Sequence, residues 1–292
     1  MFTRRAHTNA QGALTMPPLE GKYAVITGAN TGIGRHTALG LAEAGAHVTI
    51  AARSLERTQP VLDEMAERFG QERVSFVQLD LGSLDSVRQA AAEILATGKP
   101  IDLLINNAGL GGARGHTQDG FEIHFGVNHL GHFLWTNLLL DRIQQADEAR
   151  IINVASEAHY KGTLDFNALQ SPTSTRTGFQ EYANSKLANV LFSAELARRL
   201  DAPHVHVHAL HPGVVATDIW RRVPALLRPL IKLFMIPPEE GAQTTLFCAM
   251  SEEAGESTGL YWDACKMKTP SRLARDEKLA RELWERSEGW VG

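Results

Sequence analysis

A short apolar segment, residues 23–27, leads directly into a glycine-rich turn and then into a helical pattern. The turn reads Thr27-Gly-Ala-Asn-Thr-Gly-Ile-Gly34. Gly28 permits a tight turn, Gly32 lets the backbone approach a phosphate, and Gly34 lets the next helix pack closely. The first N–H groups of that helix are free to bind an anion. Three glycines also fit a purely structural turn, but their position between a strand and a helix favours a dinucleotide site.

Apolar strands alternate with helical segments after residue 20. Strands that are apolar throughout and alternate with helices indicate a parallel sheet covered on both faces, and right-handed crossovers make it doubly wound. We therefore predict an α/β fold, a doubly wound seven-stranded parallel sheet with helices on both faces (a Rossmann fold), in which residues 20–292 form a single domain. Strands are predicted at 23–27, 46–51, 74–79, 101–105, 151–155, 205–210 and 259–262, and helices at 33–44, before 69, at 83–97, 119–145 and 179–200.

Composition excludes several classes of protein. The net charge of -4 is too small to indicate nucleic-acid binding, and two cysteines, Cys248 and Cys265, cannot form a disulfide framework. Residues 1–19 lack the apolar core of a secretory signal and are predicted to be a disordered leader. No segment is long enough to span a bilayer, so a cytoplasmic location is expected. The region near 214–240 is predicted to be a mobile substrate lid, with peripheral membrane contact through 226–236 as the alternative.

The end of the second predicted strand bears on the choice of nucleotide. Enzymes that use NAD commonly place an acidic residue there to bind the ribose 2′-hydroxyl. Here the strand ends Ile50-Ala-Ala-Arg53, with no acidic residue. Arg53, helped by Arg35, is suited to charge-assisted contacts with a 2′-phosphate, although both also fit solvated surface positions. We predict NADP(H) as the cofactor.

Polar residues follow the next two strands. Asp80 comes after the third strand, and Asn106-Asn-Ala-Gly109 ends the fourth. Ligands bind at the carboxyl ends of strands in this architecture, so both segments are expected to border the cofactor. Asp80 also fits a cap for the helix that begins near Ser83, for which Ser83 is itself a plausible N-cap.

A tyrosine and a lysine lie four residues apart in Tyr182-Ala-Asn-Ser-Lys186, on one face of a predicted helix. Tyrosine has a reference pKa of about 10, and a nearby positive charge, which Lys186 with a bound nicotinamide ring would supply, lowers that pKa. Alone this spacing is weak evidence for catalysis. Ser156, at the end of the fifth strand, places a hydroxyl at the same sheet edge, where it either orients a substrate oxygen or caps a turn.

Taken together, these motifs resemble those of the short-chain dehydrogenase/reductase family over residues 20–265. Three further stretches resemble its retinol-dehydrogenase-like branch: DGFEIHFGVNHLGHFL at 119–134, ASEAH at 155–159 and PEEGAQ at 238–243. The resemblance implies hydride transfer between a nicotinamide and an alcohol/carbonyl pair, a carbonyl reductase in one direction. It also implies a homodimer or homotetramer formed through the two long helices. The predicted lid, rich in Leu, Ile and Phe with Trp220 nearby, indicates an apolar pocket and hence a small apolar or aromatic substrate.

The resemblance also assigns roles. Tyr182 would be the general acid/base, Lys186 would bind the nicotinamide ribose, Ser156 would orient the substrate, and Asn128 would hold a water for proton relay. The cofactor contacts it implies are Gly28, Asn30, Thr31, Gly32, Ile33, Gly34, Arg35, Arg53, Asp80, Leu81, Asn107, Ala108, Gly109, Tyr182, Lys186, Pro212, Gly213, Val215 and Thr217.

Alternatives stay open at this point. The sequence distantly resembles light-dependent protochlorophyllide reductase, which reduces a C=C bond, and a dinucleotide fold can also serve as a non-catalytic nucleotide-sensing scaffold. The long polar stretch 171–178 departs from the family pattern beside the substrate cleft. His204, His206 and His208 alternate along one strand, but we predict no metal, because no carboxylate or cysteine lies close to them in sequence.

Overall fold

The computed structural model describes residues 18–213 and 236–292. The predicted leader lies outside these residues except for its end, where Leu19 is buried and its N–H donates to Ala44 O at 2.7 Å. Most of the predicted lid, residues 214–235, also lies outside them. The strands are β1 Tyr23–Thr27, β2 His47–Ala52, β3 Val74–Gln78, β4 Leu103–Asn106, β5 Ala149–Val154, β6 Val205–His211, β7 Leu260–Asp263 and β8 Lys266–Met267. The helices are α1 Gly32–Glu43, α2 Leu55–Phe69, α3 Leu84–Ala96, α4 Ile123–Phe125, α5 Gly131–Ile143, α6 Phe179–Arg199, α7 Pro238–Met250, α8 Glu252–Gly255 and α9 Glu277–Val291.

The strands form one sheet in the order β3-β2-β1-β4-β5-β6-β7-β8, and β1 to β7 are all parallel. β1 lies in the middle of the sheet, β2 and β3 are added outward on one side of it, and the chain then crosses over to place β4 on the other side of β1. The order therefore reverses between β1 and β4, and in such sheets the crevice at the carboxyl ends of these strands is where ligands bind. The α/β prediction is confirmed.

The described residues form one strand more than the seven predicted. All seven predicted strands form, with bounds within two residues, and β8 pairs antiparallel with β7. β8 has two residues, too short to produce an apolar pattern. The β7–β8 turn is Ala264-Cys265, both with positive φ (49° and 59°), whereas such two-residue turns usually carry Asn or Gly. The sequence therefore held no turn signal there.

The helix predicted at 119–145 begins later than expected. Glu122 is its N-cap, and the helical run is α4, a π-helical turn at Gly126–Leu130 and then α5. Asp119 lies before the helix, and its carboxylate accepts a hydrogen bond from Leu84 N at 3.0 Å, at the first turn of α3. The extra residue of a π turn shifts the backbone at Asn128, a feature frequently found at functional sites.

Apolar side chains cover both faces of the sheet. One face packs against α1, α2 and α7, and the other against α3, α5 and α6. The last helix, α9, lies on the second of these layers. Its Trp284 packs against Phe133 of α5 and Phe192 of α6, with ring centroids 5.0 and 5.8 Å away. The groove between these two long helices, which the sequence analysis expected to form a subunit interface, is thus filled by the chain's own last helix.

Candidate active site

The glycine turn lies between β1 and α1, as predicted, and its geometry requires glycine. Gly28 and Gly32 have positive φ angles of 68° and 57°. A Cβ atom at Gly28 would lie 2.8 Å from Ala108 Cα, and a Cβ atom at Gly34 would lie 2.5 Å from Gly28 O. Both positions therefore exclude any side chain. Thr31, the N-cap of α1, is exposed and its hydroxyl makes no cap hydrogen bond, so the helix N-terminus is open to an anion.

Thr27 fastens this turn to the end of β4. Its Oγ1 accepts hydrogen bonds from Asn107 N at 3.0 Å and Ala108 N at 2.9 Å. The Asn107 side-chain amide donates back to Thr27 O at 2.8 Å and to Gly28 O at 3.1 Å. The two chain segments predicted to border the cofactor are therefore one hydrogen-bonded unit.

His132, which the sequence analysis did not select, joins this unit to Asn128. Its Nδ1 lies 3.0 Å from Asn128 O, so Nδ1 carries the hydrogen and Nε2 accepts. Two N–H groups already donate to Thr27 Oγ1, which leaves the hydroxyl hydrogen for His132 Nε2, 2.9 Å away. Burial lowers the pKa of His132 to about 4, so the ring is neutral and this arrangement is fixed.

Asn128 lies in the π turn and is fully buried. Its Oδ1 accepts from Leu110 N at 2.8 Å, and its Nδ2 donates to Leu110 O at 3.0 Å and to Ser185 Oγ at 2.9 Å. Ser185 in turn donates to Tyr182 O at 2.7 Å. Asn128 thus connects the segment after β4 with the helix that carries Tyr182.

Lys186 and Tyr182 lie on one face of α6, as predicted. Lys186 is 3% exposed, its Nζ donates to Val154 O at 2.8 Å, and it lies 5.7 Å from the centroid of the Tyr182 ring. A Cβ atom at Gly109 would lie 3.4 Å from Lys186 Nζ and 3.5 Å from Asn128 Oδ1. The end of β4, the π turn and α6 therefore meet at one point.

Burial dominates the electrostatics of the pair. It raises the pKa of Tyr182, and the nearby Ser156 hydroxyl opposes this effect. Burial also lowers the pKa of Lys186 to about 8, so its amine is still mostly protonated at neutral pH. The lowering of the Tyr182 pKa by Lys186 together with a bound nicotinamide stays a prediction.

Ser156 follows β5 in an extended conformation. Its Oγ accepts from Ala158 N at 3.2 Å, so it caps the 3₁₀ turn Glu157–Lys161 and also reaches Tyr182. The interpretation of Ser156 as a turn cap is confirmed, and its role in orienting a substrate stays a prediction. Its carbonyl accepts from His159 Nδ1 at 2.7 Å, and His159 Nε2 accepts from Ser271 N at 3.1 Å. Burial lowers the pKa of His159, which suits this neutral, two-sided role.

The two arginines predicted to select the nucleotide differ in their surroundings. Arg53 directly follows β2, is exposed and makes no ion pair with any residue in 18–213 or 236–292. Arg35 instead forms an ion pair with Glu64 of α2. Of the two, only Arg53 has a guanidinium without a protein partner in the described part of the chain.

Asp80 does not cap α3. Its Oδ1 accepts from Gly82 N at 2.9 Å, and its own N–H donates to Ser86 Oγ at 3.0 Å. Ser83 is the N-cap, since its Oγ accepts from Ser86 N at 3.3 Å. Leu81 is buried against the first residue of α5, since a Cβ atom at Gly131 would lie 2.5 Å from Leu81 O.

The remaining predicted contacts are placed less completely. Asn30 and Ile33 are half-buried within the glycine turn, and Pro212 and Gly213 are half-buried just after β6. Val215 and Thr217 lie outside the described residues, as does 226–235 of the segment considered for membrane contact. Within 18–213 and 236–292, no helix is long and apolar enough to cross a membrane. The cytoplasmic location stays a prediction.

The three alternating histidines have separate partners. His204 Nε2 lies 3.0 Å from Gln144 O, and His206 Nδ1 lies 2.9 Å from Ser257 O. His208 is held on both nitrogens, by Ala254 O at 2.8 Å and by the Trp262 indole N–H at 3.1 Å. No group of three His, Cys, Asp or Glu residues that could hold a metal occurs in the described part of the chain.

Comparison with known proteins places this geometry in context. The family described as short chain dehydrogenase matches residues 22–226. Human retinol dehydrogenase 13 is 42% identical over 283 residues, covering 94% of this chain and 86% of that protein. An uncharacterized protein from Mycobacterium Paratuberculosis has a crystal structure with a TM-score of 0.78 at 32% identity, covering 95% of this chain and 96% of that one.

A 3-ketoacyl-(acyl-carrier-protein) reductase from Brucella melitensis, solved in complex with NADH, has a TM-score of 0.65 at 27% identity and covers 84% of this chain and 97% of its own.

Proposed function

The chain belongs to the short-chain dehydrogenase/reductase family, in its retinol-dehydrogenase-like branch, and we propose that it is an NADP(H)-dependent oxidoreductase acting on the alcohol/carbonyl pair of a small apolar or aromatic substrate. The observation that carries this proposal is the meeting of Ser156, Tyr182 and Lys186 beside the glycine turn, where Asn128 ties their elements together.

A dinucleotide fits the residues present. The pyrophosphate would lie against the side-chain-free surface of Gly28 and Gly32, at the open N-terminus of α1. Lys186, behind Gly109, is placed to reach a nicotinamide ribose. The contacts of Val215 and Thr217 with the cofactor, which the family resemblance implies, are part of the same proposal. The cofactor supplies the hydride, and the protein supplies binding, orientation and protons.

The substrate oxygen would be held by two hydroxyl groups. The Ser156 hydroxyl lies close enough to the Tyr182 phenol to lower its pKa, so an oxygen bound to one would lie close to the other. In reduction, Tyr182 protonates this oxygen as hydride reaches the carbonyl carbon. The raised pKa of Tyr182 keeps the phenol protonated at neutral pH, which suits this direction. In oxidation the same phenol must first lose its proton.

The proton relay proposed for Asn128 needs a particular atom. Both hydrogens of its side-chain amide are used, by Leu110 O and Ser185 Oγ, so a water near Lys186 would be held by an oxygen of Asn128. Oδ1 accepts from Leu110 N and the main-chain oxygen accepts from His132 Nδ1, which leaves each oxygen a second lone pair. Within the proposal, Asn128 therefore orients the site through its side-chain N–H groups and holds the relay water through one of these oxygens.

The preference for NADP(H) rests on Arg53. It is exposed at the end of β2, unpaired among the described residues, and no acidic residue stands at that strand end. A planar guanidinium is well suited to a phosphate. Arg35 contributes less in this proposal, because reaching a phosphate requires it to leave Glu64.

The test is a titration of the purified protein with NADPH and NADH, followed by nicotinamide fluorescence. Arg53→Ala should weaken NADPH binding by about tenfold or more, in line with the loss of a charged hydrogen bond worth about 1.5–3 kcal/mol, and leave NADH binding unchanged. Arg281→Ala, an exposed arginine on α9, is the matched control. Equal binding of both nucleotides by the wild type would overturn the NADP(H) assignment, and binding of neither would overturn the dehydrogenase proposal itself.

A further inference from the structure

The polar loop 171–178 precedes α6 and therefore Tyr182. Its polarity suggests a loose surface loop, yet Thr173 and Gly178 are buried. The loop packs against the segment after β4: Thr173 N donates to Gly115 O at 3.1 Å, and Gly115 N donates to Thr173 Oγ1 at 3.2 Å. That same segment begins at Leu110, which Asn128 holds.

One carboxyl group under the loop is Glu122, which is buried. Its Oε1 accepts from Thr173 Oγ1 at 2.6 Å and from His124 Nδ1 at 2.8 Å. Its Oε2 accepts from the backbone N–H groups of His124 and Phe125, at 2.8 and 2.9 Å. Four donors thus converge on one buried carboxylate, which joins the loop to the first turn of α4.

The second carboxyl group is Glu181, immediately before Tyr182. Its Oε1 accepts from Ser174 N at 3.0 Å, Ser174 Oγ at 3.1 Å and Thr175 N at 2.8 Å, and its Oε2 accepts from Thr175 Oγ1. Burial raises the pKa of Glu181, but the hydrogen bonds from Thr175 and Ser174 outweigh it and lower that pKa to about 2. This group is therefore an anion at neutral pH.

His124 lies between Glu122, which its Nδ1 contacts, and Gly178 at the end of the loop. It is fully buried, and its Nε2 has no hydrogen-bond partner among the described residues. A Cβ atom at Gly178 would lie 2.8 Å from His124 Cε1 and 2.8 Å from Ala113 O, so the end of the loop rests directly on this ring. The ring of His124 also lies edge-on to Tyr182, with centroids 6.3 Å apart.

From these contacts we infer that Glu122, His124 and Glu181 are positioning residues: they lock loop 171–178 as a fixed wall of the substrate cleft and hold the Tyr182 ring in place. The inference rests on the proposed function, because the ring being positioned is the proposed acid/base. It predicts a rigid loop whose loosening changes the reaction and leaves nucleotide binding intact, since none of these residues contacts the glycine turn.

The variants are Glu181→Gln and Thr173→Val, with Ser171→Ala as the matched control. The first substitution replaces an acceptor oxygen by an amide group that meets N–H donors. The second keeps the shape of the threonine side chain closely but removes its hydroxyl. Ser171 is exposed, and its side chain makes no hydrogen bond within 18–213 or 236–292. The two variants break different carboxylate contacts, so one remains informative where the other fails to fold.

The first measurement is amide hydrogen exchange, which requires no substrate. The amides of residues 174 and 175 should be protected in the wild type and in Ser171→Ala. They should exchange about tenfold faster in Glu181→Gln, which corresponds to about 1.4 kcal/mol of local opening. Fast exchange of these amides in the wild type would overturn the lock.

The second measurement asks whether the lock positions Tyr182. With NADPH and benzaldehyde as the probe carbonyl, Glu181→Gln should lower kcat about tenfold, as small misplacements of reacting groups do, with NADPH affinity unchanged. Faster loop exchange with unaltered kcat would overturn the positioning role.

If no carbonyl is turned over, the proposed function fails, but this inference is still tested. An ultraviolet titration of the tyrosines, from which the curve of Tyr182→Phe is subtracted, then gives the pKa of Tyr182. This pKa should be lower in Glu181→Gln than in the wild type, because a ring that is no longer held in place is less desolvated. An unchanged pKa would overturn the positioning role.

Discussion

Thr27→Val is the sharpest test of how the cofactor turn is held to the sheet. Thr27 is fully buried, and its hydroxyl accepts from Asn107 N and Ala108 N and pairs with His132. Valine has nearly the same shape, so packing is retained while Ala108 N–H loses its acceptor and the buried His132 Nε2 loses its donor; Asn107 N–H keeps Ile105 O at 3.0 Å. A buried polar group left without a partner costs about 1–3 kcal/mol, so the variant should lose about 2–6 kcal/mol of unfolding free energy.

The matched control is Thr27→Ser, which keeps the hydroxyl and removes one methyl group, at a cost of about 1 kcal/mol. Urea unfolding followed by circular dichroism gives both values, provided that the slope of free energy against urea is unchanged. We also expect Thr27→Val to weaken nucleotide binding, because the turn is then held to the end of β4 by the Asn107 side-chain amide without the Thr27 hydroxyl. A loss of unfolding free energy in Thr27→Val no larger than that in Thr27→Ser would refute the hydrogen-bond reasoning.

Three further predictions follow from burial. Because the pKa of Tyr182 is raised, kcat/KM for alcohol oxidation should increase with pH through the neutral range, whereas kcat/KM for carbonyl reduction should stay level, with Tyr182→Phe as the inactive reference. A flat pH profile for oxidation would contradict the assignment of Tyr182 as the acid/base. Folding lowers the pKa of Lys186 from 10.5 to about 8, so the unfolding free energy of the wild type should rise as the pH rises from about 8 to 10.5. At pH 7, Lys186→Met should abolish turnover and raise the unfolding free energy in urea by about 2 kcal/mol, after one lost hydrogen bond is subtracted; a less stable variant would show that the buried charge is compensated. Because α9 fills the groove between α5 and α6, the chain should be monomeric by light scattering, and Trp284→Ala should lose about 3–5 kcal/mol; a wild-type dimer would show that another surface assembles.

The fold was largely predictable because its signals are local. The strand–turn–helix pattern around Gly28 and the apolar strands fix a parallel sheet, and the spacing from Tyr182 to Lys186 places both side chains on one helix face. Ser83 is identifiable as a cap from its residue type and position alone. Such features depend on neighbours within a few residues, so a single sequence records them.

The missed features depend on contacts between distant residues. His132 pairs with Thr27 across 105 positions, and nothing near either residue indicates it. The pKa of Tyr182 depends on how completely it is desolvated, which spacing along a helix does not report. The position of Arg35 favours a phosphate ligand, and only the packing of α2 brings Glu64 against it. Nothing within the polar loop 171–178 indicates that it is fixed, because its two carboxylate partners lie outside it.

The link from Ser156 through His159 to Ser271 has a consequence for biosynthesis. His159 and Ser271 are 112 positions apart, and the bond between them fixes the loop that carries the proposed catalytic serine. The N-terminal part of the chain leaves the ribosome first, and the early strands begin to fold before the last strands emerge. A nascent chain can therefore form the glycine turn and still lack a finished serine site. Competence to bind nucleotide should arise earlier in translation than competence for catalysis.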